Sequence, residues 1–152
     1  MRQPHPSGLL AASVMALATL CSSANACAQL GTVMSPKPGA GAPQNVLNGA
    51  LRVRTSTDAG NTAINEYGTS NGEIVAYTWQ GPTMPDLAAL LGKYAGSYRA
   101  GAAAAAATGN LHASRVARPD VIVESGGPMR GYVGRAWLPA ALPPGVTADD
   151  LR

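Results

Sequence analysis

The chain has 152 residues, a formal net charge of +3 and two cysteines. Its arginines are scattered (Arg52, Arg54, Arg99, Arg115, Arg118, Arg130, Arg135) instead of striping one helix between aromatics, which argues against a nucleic-acid surface. Cys21 and Cys27 both fall in the first 28 residues, so the remainder has no internal disulfide and must be held by its apolar core or by a partner.

The chain opens with Arg2 in a short charged segment, then the uncharged apolar run Leu9 to Leu20, then the small residues Ser22 to Ala28. That order is a signal peptide over 1–28, cut after Ala26 or Ala28, and the apolar run falls short of the ~20 residues a membrane span needs. The expectation is an exported protein, periplasmic or secreted. The alternative is a lipid anchor on Cys27, which follows the small Ala26 although Ala24 stands where such a signal normally has leucine. Membrane contact is expected only in that case.

Residues 29–48 are rich in Gly, Pro, Ala and Ser without apolar periodicity, and read as a flexible lead-in. A single domain is expected over 49–145. Leu51, Val53 and Thr55 alternate with Arg52, Arg54 and Ser56, the pattern of a strand with one wet face. Asp58 to Asn61 reads as a turn, Thr62 to Tyr67 as a second strand, and Thr69-Ser70-Asn71-Gly72 as a second turn. A third strand, Glu73 to Gln80, carries Ile74, Val75, Tyr77, Thr78 and Trp79 and stops at Gly81-Pro82. These three make an antiparallel meander.

Thr83 is the expected N-cap of the helix that follows, with Asp86 reaching back in a capping box. Leu87, Leu90, Leu91, Tyr94 and Tyr98 recur at the spacing of one helical face. The alanines 102–107 either extend this helix or belong to a low-complexity insertion over 100–118; propensity favours helix, although so short a run is marginal alone. Asp120 to Ser125 and Arg130 to Leu138, joined by Gly126-Gly127-Pro128, form a hairpin whose glycines suggest a bulge or close backbone approach. Residues 146–152 read as a tail that frays at its charged end. The expected fold class is therefore α+β: a small antiparallel sheet of about five strands, a meander plus a C-terminal hairpin, with one main helix on one face.

Several short segments, Ala28-Gln29-Leu30-Gly31, Ile64 to Tyr67, Trp79-Gln80-Gly81-Pro82 with Met84-Pro85-Asp86-Leu87, Leu90-Leu91-Gly92, Val123 to Gly127 and Ala140 to Pro143, together resemble domain-of-unknown-function family 2844. The resemblance spans nearly all of the chain after the leader, its most specific part being W-x-G-P-x-x-P-D-L, and the six-alanine run departs from it. It implies an exported proteobacterial protein and brings no catalytic residues.

Chemistry-bearing side chains are few. His112 is the only histidine outside the leader and has no partner at metal-ligand spacing, so it reads as a solvated loop residue. Glu66 and Glu73 flank one turn and could oppose each other as paired carboxylates; with no desolvating neighbour in the sequence they read as solvated hairpin charges. Ser125-Gly126-Gly127 lacks both the G-x-S-x-G elbow and a phosphate-cradle context. No metal and no cofactor are expected. Tyr77, Trp79 and Trp137 are the candidate binding residues, because Tyr and Trp favour half-wet surfaces, with Tyr77 expected on a face the helix leaves open. The functional expectation is a non-catalytic envelope protein that binds a partner or surface component. The alternative is a small periplasmic hydrolase or modifying enzyme working from Glu66, Glu73, Asp86 or His112.

Overall fold

The structure, a computed structural model, describes residues 28–106 and 113–152. Seven strands form one antiparallel sheet: β1 (Gln44–Val46), β2 (Leu51–Thr57), β3 (Ala63–Gly68), β4 (Ile74–Gly81), β5 (Ala113–Ala117), β6 (Ile122–Gly126) and β7 (Tyr132–Trp137), in spatial order β1-β2-β3-β4-β7-β6-β5. The meander β2–β4 and the hairpin β6–β7 fall where alternation and turn residues put them. Two more strands, one at each edge, raise the count above the expected five. In the first turn the Asp58 carboxylate accepts from the amides of Gly60 (2.8 Å) and Thr62 (2.9 Å), closing it locally.

Strand β4 is the axis of the sheet. Its residues from Ile74 to Trp79 are all buried, which a strand with one wet face cannot be. The β3–β4 register explains this: Tyr67 pairs with Ala76 but Gly68 pairs with Ile74, leaving Val75 as an extra residue. Val75 and Ala76 consequently join the apolar cluster of Leu51, Tyr67 and Trp137, while Ile74, Tyr77 and Trp79 join the cluster beneath the helices.

Two helices follow β4, α1 (Leu87–Leu91) and α2 (Ala95–Ala106), joined by a single tight turn over Gly92–Tyr94. Asp86, not Thr83, is the N-cap, its carboxylate accepting from the Ala89 amide at 3.0 Å. Thr83 instead bonds the Thr62 hydroxyl at 2.9 Å and the Gly60 carbonyl at 3.2 Å, so the corner is tied to the first turn and the helix starts three residues later than expected. Leu90, Leu91 and Ala95 are buried against the sheet, with Leu87, Tyr94 and Tyr98 packed beside them, as the helical spacing predicts. The alanine run continues α2 through Ala106; Ala107 lies outside the described residues.

The segment expected to be a flexible lead-in is folded onto the sheet. Leu30 is 1% exposed, the Gly31 amide donates to the Ile74 carbonyl (2.7 Å), Val33 bridges Glu73, and Gln44–Val46 is itself β1. The polar anchor is a buried ion pair that the sequence pattern conceals. Glu66 does not face Glu73: its register partners are Arg54 on β2 and Tyr77 on β4. Its carboxylate is 1% exposed and accepts from Arg54 through both Nε and Nη2, while the half-exposed Lys37 reaches its other oxygen at 3.4 Å. The same guanidinium donates to the Ser35 carbonyl, and Lys37 bonds the Ser56 hydroxyl at 3.1 Å. The expectation of a solvated Glu66 is thus overturned by the chain that covers it.

A buried pair repays its desolvation only while both partners are present. Glu66→Gln should therefore destabilise the fold by about 3 to 5 kcal/mol, whereas Arg54→Met with Glu66→Leu together should be close to neutral. Urea midpoints of the two variants check this; equal losses would show that the pair acts through something other than mutual neutralisation.

Candidate functional site

The three aromatics singled out from the sequence are all buried. Tyr77, 0% exposed, lies on the helix-covered face and donates its hydroxyl to the Ala28 carbonyl at 2.8 Å, so it is not on an open surface. Trp79, 2% exposed, packs against Gly134 of β7, where any Cβ would collide with its six-membered ring; its indole N–H has no partner among the described residues. Trp137, 5% exposed, packs on the other face with the Arg135 guanidinium 5.4 Å from its ring centre. Glu73 is exposed beside the β3–β4 turn, and Asp86 is spent capping α1. His112 and Cys27 lie outside the described residues. Among the described residues, the structure brings none of these groups together into one site.

It brings together a different set. On the face opposite the helices, Thr55, Asn65, Thr78, Arg135, Glu124 and Arg115 are register partners on six successive strands, forming one polar row across the sheet. Thr55 donates to Asn65 (2.7 Å), and the Asn65 amide to Thr78 (3.1 Å). Glu124 is clamped from both sides, by Arg135 Nε at 2.7 Å and by Arg115 Nε at 2.8 Å. Cross-strand pairs of this kind are what a wet sheet face ordinarily carries.

The row marks a boundary between a covered and an uncovered half of that face. On one side, residues 139–152 cross the sheet as a strap. Leu151 is 4% exposed in the cluster of Leu51, Tyr67 and Trp137; Arg152 bonds the Tyr67 hydroxyl through its carbonyl and, at 3.1 Å, through its amide; and the Arg152 carbonyl also accepts from Asn65 at 3.3 Å. The expected fraying of the tail is replaced by docking, because Tyr67 and Asn65 offer its backbone the partners that water would otherwise supply. On the other side lies an open hollow of about 970 Å³ whose floor is Ala63, Gln80, Val133 and Gly126 and whose wall is the polar row, with Leu151 and Arg152 at one end. Val133 is 49% exposed there. The sequence offered only a local trace of this site, the alternation of Val133 and Arg135 with Gly134 on one strand; the pairing of Arg115 with Glu124 comes from the β5–β6 register.

Arg135 joins the two halves. Besides Glu124 it donates to the Ala148 carbonyl and to Asp149 at 3.2 Å. Burial opposes its charge, but Glu124 and Asp149 outweigh that and hold its pKa above the ordinary value. The strap closes its own end with a capping box: the Asp150 carboxylate accepts from the Thr147 amide and hydroxyl, both at 2.8 Å, and these bonds, with a lesser contribution from Arg152, hold its pKa below the ordinary 3.8. Among the described residues no group of three or more His, Cys, Asp or Glu could hold a metal ion, and no helix is long and apolar enough to cross a membrane.

A carboxyl group with a lowered folded-state pKa contributes stability above its unfolded value and loses it as pH falls through the folded one. The Asp150 contribution should accordingly be complete above 3.8 and vanish progressively below it, loosening the strap in acid before the sheet yields. A fall in the protection factor of Leu151 (its exchange relative to the intrinsic rate at each pH) below that pH, absent in Asp150→Asn because that variant is already loosened at neutral pH, is the expected result.

Comparison with curated proteins and with solved structures finds no match. A family model matches residues 21–151, nearly the whole chain, and its description is a protein of unknown function. The segments of Trp79-Gln80-Gly81-Pro82 and Pro85-Asp86-Leu87 that tie the β4 corner to the first helix lie within this match, and the chain belongs to domain-of-unknown-function family 2844 (DUF2844).

Proposed function

We propose that the protein is an exported, non-catalytic envelope protein that binds a partner or surface component, and that its working surface is the open half of the sheet. The observation that carries this reading is the hollow beside the Asn65–Arg115 row: an accessible floor in which Ala63, Gly126 and Val133 lie with one polar residue, Gln80, edged by fixed polar groups, is how binding sites are ordinarily built. Seven of the eight carboxylates have structural occupations: besides those that follow, Asp120 accepts from the Ser97 hydroxyl and Asp149 pairs with Arg135. Glu66 neutralises Arg54, Glu124 is held by two arginines, Asp58 closes a turn, and Asp86 and Asp150 cap helical turns. A general acid or base would have to be released from such bonds before it could exchange a proton with a substrate. For the enzyme alternative there remain Glu73, exposed and remote from the hollow, and His112.

A photo-crosslinking residue introduced at Val133 should yield an adduct of defined mass in cells, while the same residue at Arg99, on the exposed side of α2, should yield none. His112→Ala and Glu73→Gln should leave any phenotype of the gene intact. An adduct from position 99 alone would move the working surface to the helix side, and loss of phenotype in either folded variant would transfer the reading to the hydrolase.

Export follows from the leader's order of charge, apolar run and small residues. Of the two cleavage positions we favour the bond after Ala26, since Ala28 packs against the core and its carbonyl takes the Tyr77 hydroxyl. The mass of the exported form should begin at Cys27; a start at Gln29 would show that the domain dispenses with that bond, and a diacylated Cys27 that it is anchored.

A further inference from the structure

We infer that the hollow takes an extended, acidic peptide segment of a partner protein, an inference that rests on the binding reading above and specifies its ligand. The strap provides the chemical template. It is a peptide already bound to this same face, and it is bound by side chains, not by a strand edge: Tyr67 and Asn65 take the Arg152 carbonyl, Arg135 takes the Ala148 carbonyl, and Arg135 also takes the Asp149 carboxylate while Leu151 fills the apolar seat between them. Backbone carbonyls, one acidic group and one apolar anchor are thus what this surface recognises in its own chain.

Beyond the strap the same kinds of donor recur. The Arg115 guanidinium is 61% exposed; its Nε is on Glu124, and its two terminal nitrogens have no partner among the described residues. The Arg152 guanidinium lies at the opposite end of the hollow, with the Asp150 carboxylate as its nearest acidic influence. Gln80 is exposed on the floor, and Val133 offers the apolar seat that Leu151 finds in the covered half. The carboxylates nearby offset these cations only in part: Glu124 and Asp149 are shared with Arg135, and Asp150, bonded to Thr147, feels Arg152 as the least of its influences. A guanidinium with free paired nitrogens selects a planar carboxylate held by two parallel bonds.

Size and lining narrow the class further. Four inter-strand steps separate Asn65, beside Arg152, from Arg115, about 19 Å, which an extended chain of roughly six residues spans. An acidic polysaccharide would satisfy the arginines too, but it has no counterpart to the apolar anchor that Val133 is placed to receive, and Trp79, the aromatic residue bordering the hollow, is 2% exposed and offers no ring for a sugar to stack on. The occupant also runs across the strands, so its carbonyls must be met by side chains, as those of the strap are.

The test is fluorescence anisotropy of a labelled peptide, acetyl-Ala-Asp-Leu-Ala-Asp-Asp-Leu-Ala-amide, with the purified exported protein. Saturable binding is expected, weakened about tenfold or more by Arg115→Gln, unaffected by Arg99→Gln and weakened by salt. The peptide with Asn at every Asp should not bind, and amide exchange at Leu151 should be unchanged on binding. Absence of saturation, equal binding of the Asn peptide or indifference to Arg115→Gln would overturn the acidic-peptide inference. So would deprotection of Leu151, which would mean that the peptide had only replaced the strap, and so would tighter, Arg115-dependent binding of polyglucuronate. An adduct at position 133 alongside any of these failures would leave the binding surface standing and discard only the ligand class.

Discussion

Everything in this fold answers to one demand: β4 is apolar on both faces, and both must be kept from water. Six consecutive buried residues, Ile74 to Trp79, together with the register slip at Val75, send apolar side chains to each side of a single sheet. A sheet with one helical layer normally solvates its second face. Here the second face has its own cluster around Leu51, Tyr67 and Trp137, and the chain supplies a strap to cover it. Because the strap is one strand's width and not a second layer, it covers part of that face and leaves the rest as the hollow.

The lead-in and the strap are thus comparable devices on opposite sides. Each is a segment without regular secondary structure over most of its length, and each is secured by one arginine on the sheet: Arg54 takes the Ser35 carbonyl and Arg135 takes the Ala148 carbonyl, while each guanidinium is balanced by a glutamate on the neighbouring strand. Arginine suits this task because its planar fork serves a carboxylate and a carbonyl at once. Their settings differ. Arg54–Glu66 is sealed, so its loss leaves an uncompensated charge, whereas Arg135–Glu124 remains partly wet and is worth less to stability.

Local chemistry was legible in the sequence and long-range chemistry was not. Alternation located β2, the Asn-Gly turn and the Gly-Pro stop located β4, and the leucine spacing located the helical face, because each of those features is set within a few residues. Strand β5 was missed: Ala-Ser-Arg-Val-Ala has little apolar content and follows an alanine run, and it is a strand because β6 pairs with it. Residues 29–48 read as flexible because glycine and proline carry no periodicity, yet Leu30 is buried in the core, the backbone of 30–34 bonds the sheet, and Lys37 reaches Glu66. Tyr77 was assigned to the wrong face for a related reason. A register slip shifts every later side chain to the opposite side, and nothing in Ile-Val-Ala-Tyr-Thr-Trp announces it. The site row was hidden likewise, since Asn65, Thr78, Arg135, Glu124 and Arg115 become neighbours only through strand order.

The strand order also has a bearing on how the molecule assembles. Beside β4, on the side away from β3, lies β7, whose Trp137 pairs with Ala76, and between them in sequence come both helices and the outer hairpin. The meander can zip up as soon as its turns form, but the central strand then waits with one edge and both faces open until a distant part of the chain returns. Loop closure over such a span is slow relative to local pairing. During that interval the most apolar strand in the protein is an unpaired edge, the arrangement most prone to pairing with another chain. A sheet whose middle is completed last therefore places its greatest hazard in the time before folding ends, and a holding factor that shields β4 would serve this chain better than any addition to its final stability.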